Sequence, residues 1–370
     1  EGELVWLRSF GSGQHPQAIA VGPENRVFVL SKTPKLFSSG PLPNPQWERV
    51  FLTAFASDGS FLWEQSFGGD SSKDIRFETN GVDLAVDTNG NAMIVTAFAG
   101  QLDTPMGTFQ TIPNDSDVFF IRIDAYGSIV EVKQFEAPGT QYVGGVAIDT
   151  AGHIIATANI GGSESVVKLD ETLSPVWARS FPGDGSVGAM AVTIAKNDDI
   201  VLAGAFRGTV DFGNGPVQAQ NQATPFLHRL DAAGNDNGGE IFSETSVIWP
   251  LLERLPITVA ANPSGNHAFA LQFSSSVDLG SGPLPSDNMF YDSALARYTA
   301  DGTYVACADA SGPGEQRTSG LVLSPEGRLY WAVSYLWTLK YGDQVLFEPP
   351  PSDSPFVSAS HGSAIIALPP

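Results

Sequence analysis

Apolar stretches of four to six residues recur along the chain, separated by Gly, Asn and Asp, a pattern that predicts short β-strands joined by tight turns. One phrase sets the period. Leu4-Val5-Trp6-Leu7-Arg8-Ser9-Phe10-Gly11 returns at Phe61-Leu62-Trp63-Glu64-Gln65-Ser66-Phe67-Gly68 and again at Pro175-Val176-Trp177-Ala178-Arg179-Ser180-Phe181. Each later copy follows three other strands. The first such unit runs Ala18-Ile19-Ala20-Val21, a turn at Glu24-Asn25, Val27-Phe28-Val29-Leu30, a long connection, then Val50 to Phe55 and a turn at Asp58-Gly59 into the Trp63 strand. Asp58-Gly59 and Asn89-Gly90 suit type I′ turns, which need positive φ and match strand twist.

The unit repeats six times, over 18–68, 81–136, 144–182, 188–244, 256–311 and 319–368. The last has three strands and no fourth, while residues 3–10 are a fourth strand with nothing before them. The sequence therefore predicts one all-β domain over 1–370: a six-bladed β-propeller of four-stranded antiparallel blades, closed by its N-terminal strand. The first strands share a column, Ala20, Ala85, Ala147, Ala191, Ala260 and Val322, where small residues are expected because innermost strands crowd together.

Val210-Asp211-Phe212-Gly213-Asn214-Gly215-Pro216 and Val277-Asp278-Leu279-Gly280-Ser281-Gly282-Pro283, with a partial copy at Ser39-Gly40-Pro41-Leu42, and an Asp-x-x-Gly turn before the Trp strand, resemble the secreted bacterial β-propeller repeat family. The resemblance covers nearly the whole chain through short motifs. It implies an extracellular or cell-surface propeller and supplies no general catalytic set. The family is usually described with seven blades, and six are counted here.

Turns between first and second and between third and fourth strands fall on one face and are short. The opposite face carries the long connections 33–49, 99–117, 207–224, 274–293 and 336–361, with 68–80 and 243–256 between blades. Blade three is the exception, with only Gly161-Gly162-Ser163-Glu164. Binding and catalysis favour such loops on a rigid scaffold. The expected ligand-facing residues are His15, Arg76, Asp83, Tyr142, Trp249, Arg254 and Arg317. Asp83 breaks a column of small residues, aligning with Ala18, Gly145, Ala189, Thr258 and Gly320, so it needs a partner, for which Lys73 and Arg76 are at hand. His15 and His361, with Asp83 or Glu315, offer an acid/base or metal alternative, although no metal is expected. Trp47, Trp249, Trp337, Tyr142 and Tyr291 could stack on sugar rings or pin the loops. His153 and His267 follow turns on the other face and should be solvated. His228 should be packed, and Asn235 to Glu240 should be a solvated turn.

Composition narrows the partners. A net charge of −21 disfavours nucleic acid and anionic membrane surfaces. One cysteine, Cys307 in an apolar strand, permits no internal disulfide and reads as a buried, inert thiol. No apolar run has the ~18 residues of a membrane span. Glu1 stands where a methionine would begin a chain, which removal of a leader and trimming of the chain explain equally well. With the extracellular or cell-surface setting that the resemblance implies, a monomer without cofactors is the expectation. Signatures such as G-x-S-x-G, H-E-x-x-H and C-x-x-C are absent from the sequence. The leading expectation is a binding or scaffold propeller for a glycan, peptide or protein. The alternative is a hydrolase or lyase built on Asp83, His15, Arg254 and Arg317 at the mouth of the central channel.

Overall fold

The computed structural model describes residues 15–32, 49–68, 76–112, 115–160, 163–219, 223–242, 257–274, 276–286, 291–336, 338–342, 344–347 and 361–369. Among them there is no α-helix, and the strands form antiparallel sheets. Residues 1–178 make one compact unit and 179–370 another.

In the first unit the first sheet runs His15–Val21, Val27–Lys32, Arg49–Phe55, Phe61–Gly68 in chain order. The second uses Arg76–Val86, Ala92–Ala99, Asp117–Ile123 and Ile129–Phe135. The third uses Tyr142–Ile148, Ile154–Ile160, Ser163–Leu169 and Pro175–Ser180, the last of which runs on into the second unit. The middle strands of the second sheet are apolar on both faces because that sheet is packed on either side. Phe28, Leu30 and Leu52 pack against Ile94, Phe98 and Phe119. Met93, Val95 and Phe120 on the other face pack against Val143, Ile154 and Leu169.

The second unit repeats the scheme. Its fourth sheet holds Ser186–Ile194, Ile200–Arg207, Thr224–Leu230 and Asp236–Ile241. The fifth holds Thr258–Ala261, His267–Phe273, Asp292–Tyr298 and Tyr304–Ser311. The sixth has three strands, Gln316–Leu323, Leu329–Leu336 and His361–Leu368, as the repeat predicts. Its expected fourth strand, residues 3–10, lies outside the described residues.

The long connections are not plain loops. Four of them fold into small hairpins: Gln101–Thr104 with Gly107–Gln110, Thr209–Asp211 with Pro216–Gln218, Ser276–Asp278 with Pro283–Pro285, and Leu339–Tyr341 with Gln344–Phe347. Each buries one apolar anchor, Leu102, Val210, Val277 or Leu339, at 1% exposure or less. This gives the Val-Asp-x-Gly-x-Gly-Pro phrase a physical meaning. The Val is the anchor, and the Asp carboxylate accepts both glycine amides: Asp211 Oδ1 from Gly213 and Gly215, Asp278 Oδ1 from Gly280 and Gly282. Leu339–Tyr341 also pairs with the outer strand of the fifth sheet at Ala310 and Ser311, making that sheet six-stranded.

The Trp phrase has an equally local cause. The Trp63 indole lies on Gly127, in the third-to-fourth turn of the next sheet, and its Nε1 donates to the Ala125 carbonyl at 3.0 Å. Gly127 has φ +91°, and a Cβ there would come within 2.8 Å of the indole. Third-strand arginines make the same kind of link: Arg122 donates to the Glu171 carbonyl, Arg229 to Ala300 and Arg297 to Gly327.

Several expectations are corrected. At Asp58-Gly59 and Asn89-Gly90 only the glycine takes positive φ, so these are three-residue turns ending in a left-handed glycine, closed by Ala56 N–H to Ser60 O and Asp87 N–H to Asn91 O. Both central residues take positive φ at Glu24-Asn25 (58° and 54°) and at Asn197-Asp198 (60° each), where the type I′ turns are found. His267 is buried at 1% exposure and stacks on Tyr298, because the strand starts at His267 itself. His153 is partly exposed and held by Asp149. Asp236 to Ile241 is a strand, not a turn. Cys307 is only half-buried, on an outer strand, with its Sγ 2.8 Å from the Ser281 hydroxyl. His228 is packed as expected, 4% exposed among Phe181 and Phe212.

Candidate functional site

Inner strands share a local irregularity. Register slips between Pro16 and Ala18, Val143 and Gly145, Gly188 and Ala191, and Thr318 and Gly320. These bulges sit at the ends nearest the long connections, and a bulge re-aims the side chains beside it. Asp83 lies in this column. Its Oδ2 accepts the Val146 amide at 2.9 Å, from the inner strand of the third sheet just past that strand's bulge. A main-chain amide is therefore one partner of the Asp83 carboxylate. Lys73 lies outside the described residues.

The same end of the second and third sheets gathers buried polar groups. Gln141 has no exposed surface, and its side chain is fully used: Nε2 donates to Asp117 Oδ1 and the Ala137 carbonyl, and Oε1 accepts the Val118 amide. Ser116 Oγ accepts the Gln141 amide and donates to its carbonyl. Burial raises the Asp117 carboxyl above the ordinary range, against the hydrogen bond from Gln134. This is a clamp between sheets, complete in itself.

One residue further on, the chemistry changes. Tyr142, Asn159 and Glu164 stand directly opposite one another on three successive strands of the third sheet. Directly opposed residues of an antiparallel pair share a face, so the three side chains form one row. Asn159 Nδ2 donates to the Tyr142 hydroxyl at 3.3 Å. Glu164 is 7% exposed, and neither carboxylate oxygen has a hydrogen bond of normal geometry, although Tyr142 and Asn159 flank it. Burial pushes the Glu164 carboxyl up to about 8, with its two neighbours working the other way. Glu164 is therefore a neutral proton donor at neutral pH, next to a phenol and a carboxamide.

The sequence reading missed this group because Gly161 to Glu164 looked like a loop. The third strand begins at Ser163, and Glu164 is inside it. A charged residue in a strand ending Val-Val-Lys-Leu was the available signal. Lys168, in that same strand, is buried against Asp149 at 2.9 Å. Burial would raise Asp149, but hydrogen bonds from Lys168 and His153 outweigh it and hold the carboxyl below its ordinary range.

The remaining expected residues fall as follows. His15 and Arg76 open the inner strands of the first and second sheets. Asp83 and Tyr142 belong to inner strands that touch each other. Arg317 is in the second unit, exposed, with Nε donating to Glu315 Oε1 at 2.7 Å; Gln272 donates to the same oxygen. Trp249 and Arg254, like Trp47 and Trp337, lie outside the described residues. Among the described residues, no cluster of three or more His, Cys, Asp or Glu could hold a metal ion, and no helix is long and apolar enough to cross a membrane.

No protein-family model matches the sequence, and no curated protein matches it. Solved structures do. A mutant of NanB sialidase from Streptococcus pneumoniae aligns over 90% of this chain and 67% of its own, with TM-score 0.52 at 8% identity. The fold is β-propeller-like. A Penicillium chrysogenum α-L-arabinanase complexed with arabinobiose aligns over 86% of this propeller-like chain and 88% of its own, with TM-score 0.42 and 11% identity. A Bacteroides caccae protein of unknown function gives 82%, 84%, 0.41 and 10%.

Proposed function

We propose that this chain is a carbohydrate-cleaving hydrolase whose proton donor is Glu164. The observation that carries the reading is the Glu164 carboxyl itself: buried, flanked by Tyr142 and Asn159 without a hydrogen bond of normal geometry, and pushed up to about 8 by burial. A carboxylic acid kept neutral by an apolar site is the group that glycosidic cleavage needs to protonate its leaving oxygen. The likeness in fold to a sialidase supports glycosides as the bond type. Tyr142, already an expected ligand-facing residue, stands beside the acid, and Asp83 on the adjoining inner strand orders the same end of the unit.

A panel of aryl and alkyl glycosides tests the reading. Glu164→Gln should lower kcat by 10²–10⁴-fold on alkyl glycosides, and less on nitrophenyl glycosides, whose leaving group needs little protonation. The wild-type kcat/KM should fall on an alkaline limb near pH 8. Equal activity of wild type and Glu164→Gln on both leaving groups would retire Glu164 as the acid.

Other parts of the picture belong to the same proposal. Six blades closed by residues 3–10, a place in the secreted bacterial propeller repeat family, and an extracellular setting rest on the repeat and its motifs. Deleting residues 1–10 should expose the third strand of the sixth sheet and remove Trp6, with a strongly lowered melting temperature or aggregation; a buried Trp is worth roughly 3–5 kcal/mol. An unchanged, monodisperse melt would sink the closure. Binding without turnover, through His15, Arg76, Trp249, Arg254 and Arg317, is the reading left if no glycoside is cleaved.

A further inference from the structure

We propose that the outer strand of the second sheet, Ile129–Phe135, is a docking edge for a second copy of this chain, the two strands pairing antiparallel about Val132. The strand pairs with Asp117–Ile123 on its inner side, and among the described residues no strand pairs with its outer side. Other edges are attended. In the first unit the second sheet's hairpin strand Gln101–Thr104 lies against Phe61–Gly68, the outer strand of the first sheet. In the second unit the sixth sheet's hairpin strand Leu339–Tyr341 pairs with Tyr304–Ser311, the outer strand of the fifth. Both hairpins come from the long connection of the following sheet. The third sheet has only residues 161–162 at that place, so it sends no hairpin to cover Ile129–Phe135. An uncovered edge is a template for another strand.

The sequence of this edge is complementary to itself. A two-fold axis at Val132 sets Val132 opposite Val132 and Glu131 opposite Lys133. Directly opposed residues share a face, so the pairing makes two cross-strand ion pairs, one on each side of the axis. Lys133 is exposed and, among the described residues, has no ion pair. Glu131 already faces Arg122 on the neighbouring strand at 3.3 Å, and its side chain is still 32% exposed. Charges would then alternate across the joined sheets: Arg122, Glu131, then Lys133 of the other copy. None of the other described outer strands does this. Phe61–Gly68 holds Glu64 and Tyr304–Ser311 holds Asp309 without a base, Asp236–Ile241 holds two acids, and Pro175–Ser180 holds Arg179 alone. With a net charge of −21 two copies repel each other at a distance, and acids facing acids would add to that. The edge that carries its own cation is the one that escapes. The bulge between Ile129 and Glu131 keeps the paired run short, so the interface is small.

Sedimentation velocity of the whole chain over a rising concentration series tests this. Wild type should pass from one chain to two at micromolar concentration, as befits a small interface. Lys133→Glu sets acids against acids, and Glu131→Lys sets bases against bases; each should weaken association by about tenfold or more. An equimolar mixture of the two variants should associate as wild type does, because each acidic edge then meets a basic one. Melting curves check that both variants are folded. Should Glu131→Lys misfold through loss of its Arg122 contact, amide exchange decides: protection over 129–135 should rise with concentration in wild type and stay flat in Lys133→Glu. A wild type that is monomeric at every concentration overturns the inference, whether or not the edge accepts a strand peptide from another protein. So do single variants that associate as wild type does, a mixture of folded variants that stays monomeric, or exchange at 129–135 that ignores concentration.

Discussion

Single positions in this chain show which force prevails. In the turns that close the sheets, an Asp carboxylate accepts amides two and four residues on, at 2.8–3.0 Å, as at Asp87, Asp124, Asp149, Asp170 and Asp231. A left-handed glycine usually ends the turn. At Asp170 it is Leu173, with φ 54° and no exposed surface, inside the core between the second and third sheets. Left-handed backbone costs a non-glycine residue roughly 1–2 kcal/mol, whereas removing a buried leucine costs about 2–5. Burial is the larger effect, so Leu173→Gly should destabilise despite relieving the backbone, as measured by urea denaturation. A gain in stability would reverse that ranking. Glu164 answers to a different balance. Folding keeps its proton up to about pH 8, while the unfolded chain releases it above 4.5, so this residue makes folding less favourable as pH rises between the two. A shift of that size is worth roughly 5 kcal/mol. Glu164→Gln should therefore melt several degrees above wild type at pH 8 and close to it at pH 4.5. Stabilisation with loss of turnover is the mark of a residue kept for chemistry.

At the scale of strands and hairpins, edge protection is the theme. An open outer strand invites foreign pairing, and Leu339–Tyr341 covers part of the edge of Tyr304–Ser311. Leu339→Ala should cost about 2–5 kcal/mol and raise amide exchange at Ala310 and Ser311 first. Exchange that rises uniformly over the fifth sheet would mean that the hairpin guards no edge. This level was largely legible in the chain. Trp63 and Asp-x-x-Gly mark the fourth strand and its turn because indole and glycine are bound to each other across sheets. The hairpins were not legible: strands of three or four residues have too few positions to show alternation, and only the Val-Asp-x-Gly phrase betrayed two of them. The row at Glu164 stayed hidden because it depends on register. Tyr142, Asn159 and Glu164 become neighbours only once three strands are aligned.

For the molecule as a whole, charge and pH set the working range. His228, buried among phenylalanines, has its imidazole pushed down to about 4 by burial, so the unfolded chain takes up a proton below 6.5 that the folded chain refuses until about 4. Stability from this group is full above pH 6.5 and is lost as pH falls toward 4. Set against Glu164, the two slopes oppose each other between 4.5 and 6.5 and leave only the alkaline decline beyond. Melting temperature should be highest in that acid window, and His228→Leu should remove the fall on its acid side. With a net charge of −21, raising sodium chloride from 10 to 300 mM should also raise the melting temperature, because screening relieves self-repulsion. A final consequence concerns time rather than stability. The third sheet joins its middle strands through residues 161–162 alone, whereas the first leaves 33–48 to be closed, about three doublings of length and roughly 2 kcal/mol of chain entropy. Local pairings form earliest, so the hairpin Ile154–Ile160 with Ser163–Leu169 is the natural nucleus, and the sheet that carries Glu164 assembles before those that need long closures. In stopped-flow refolding, Val167→Ala should slow the folding limb, while Leu339→Ala should leave it alone and speed only unfolding.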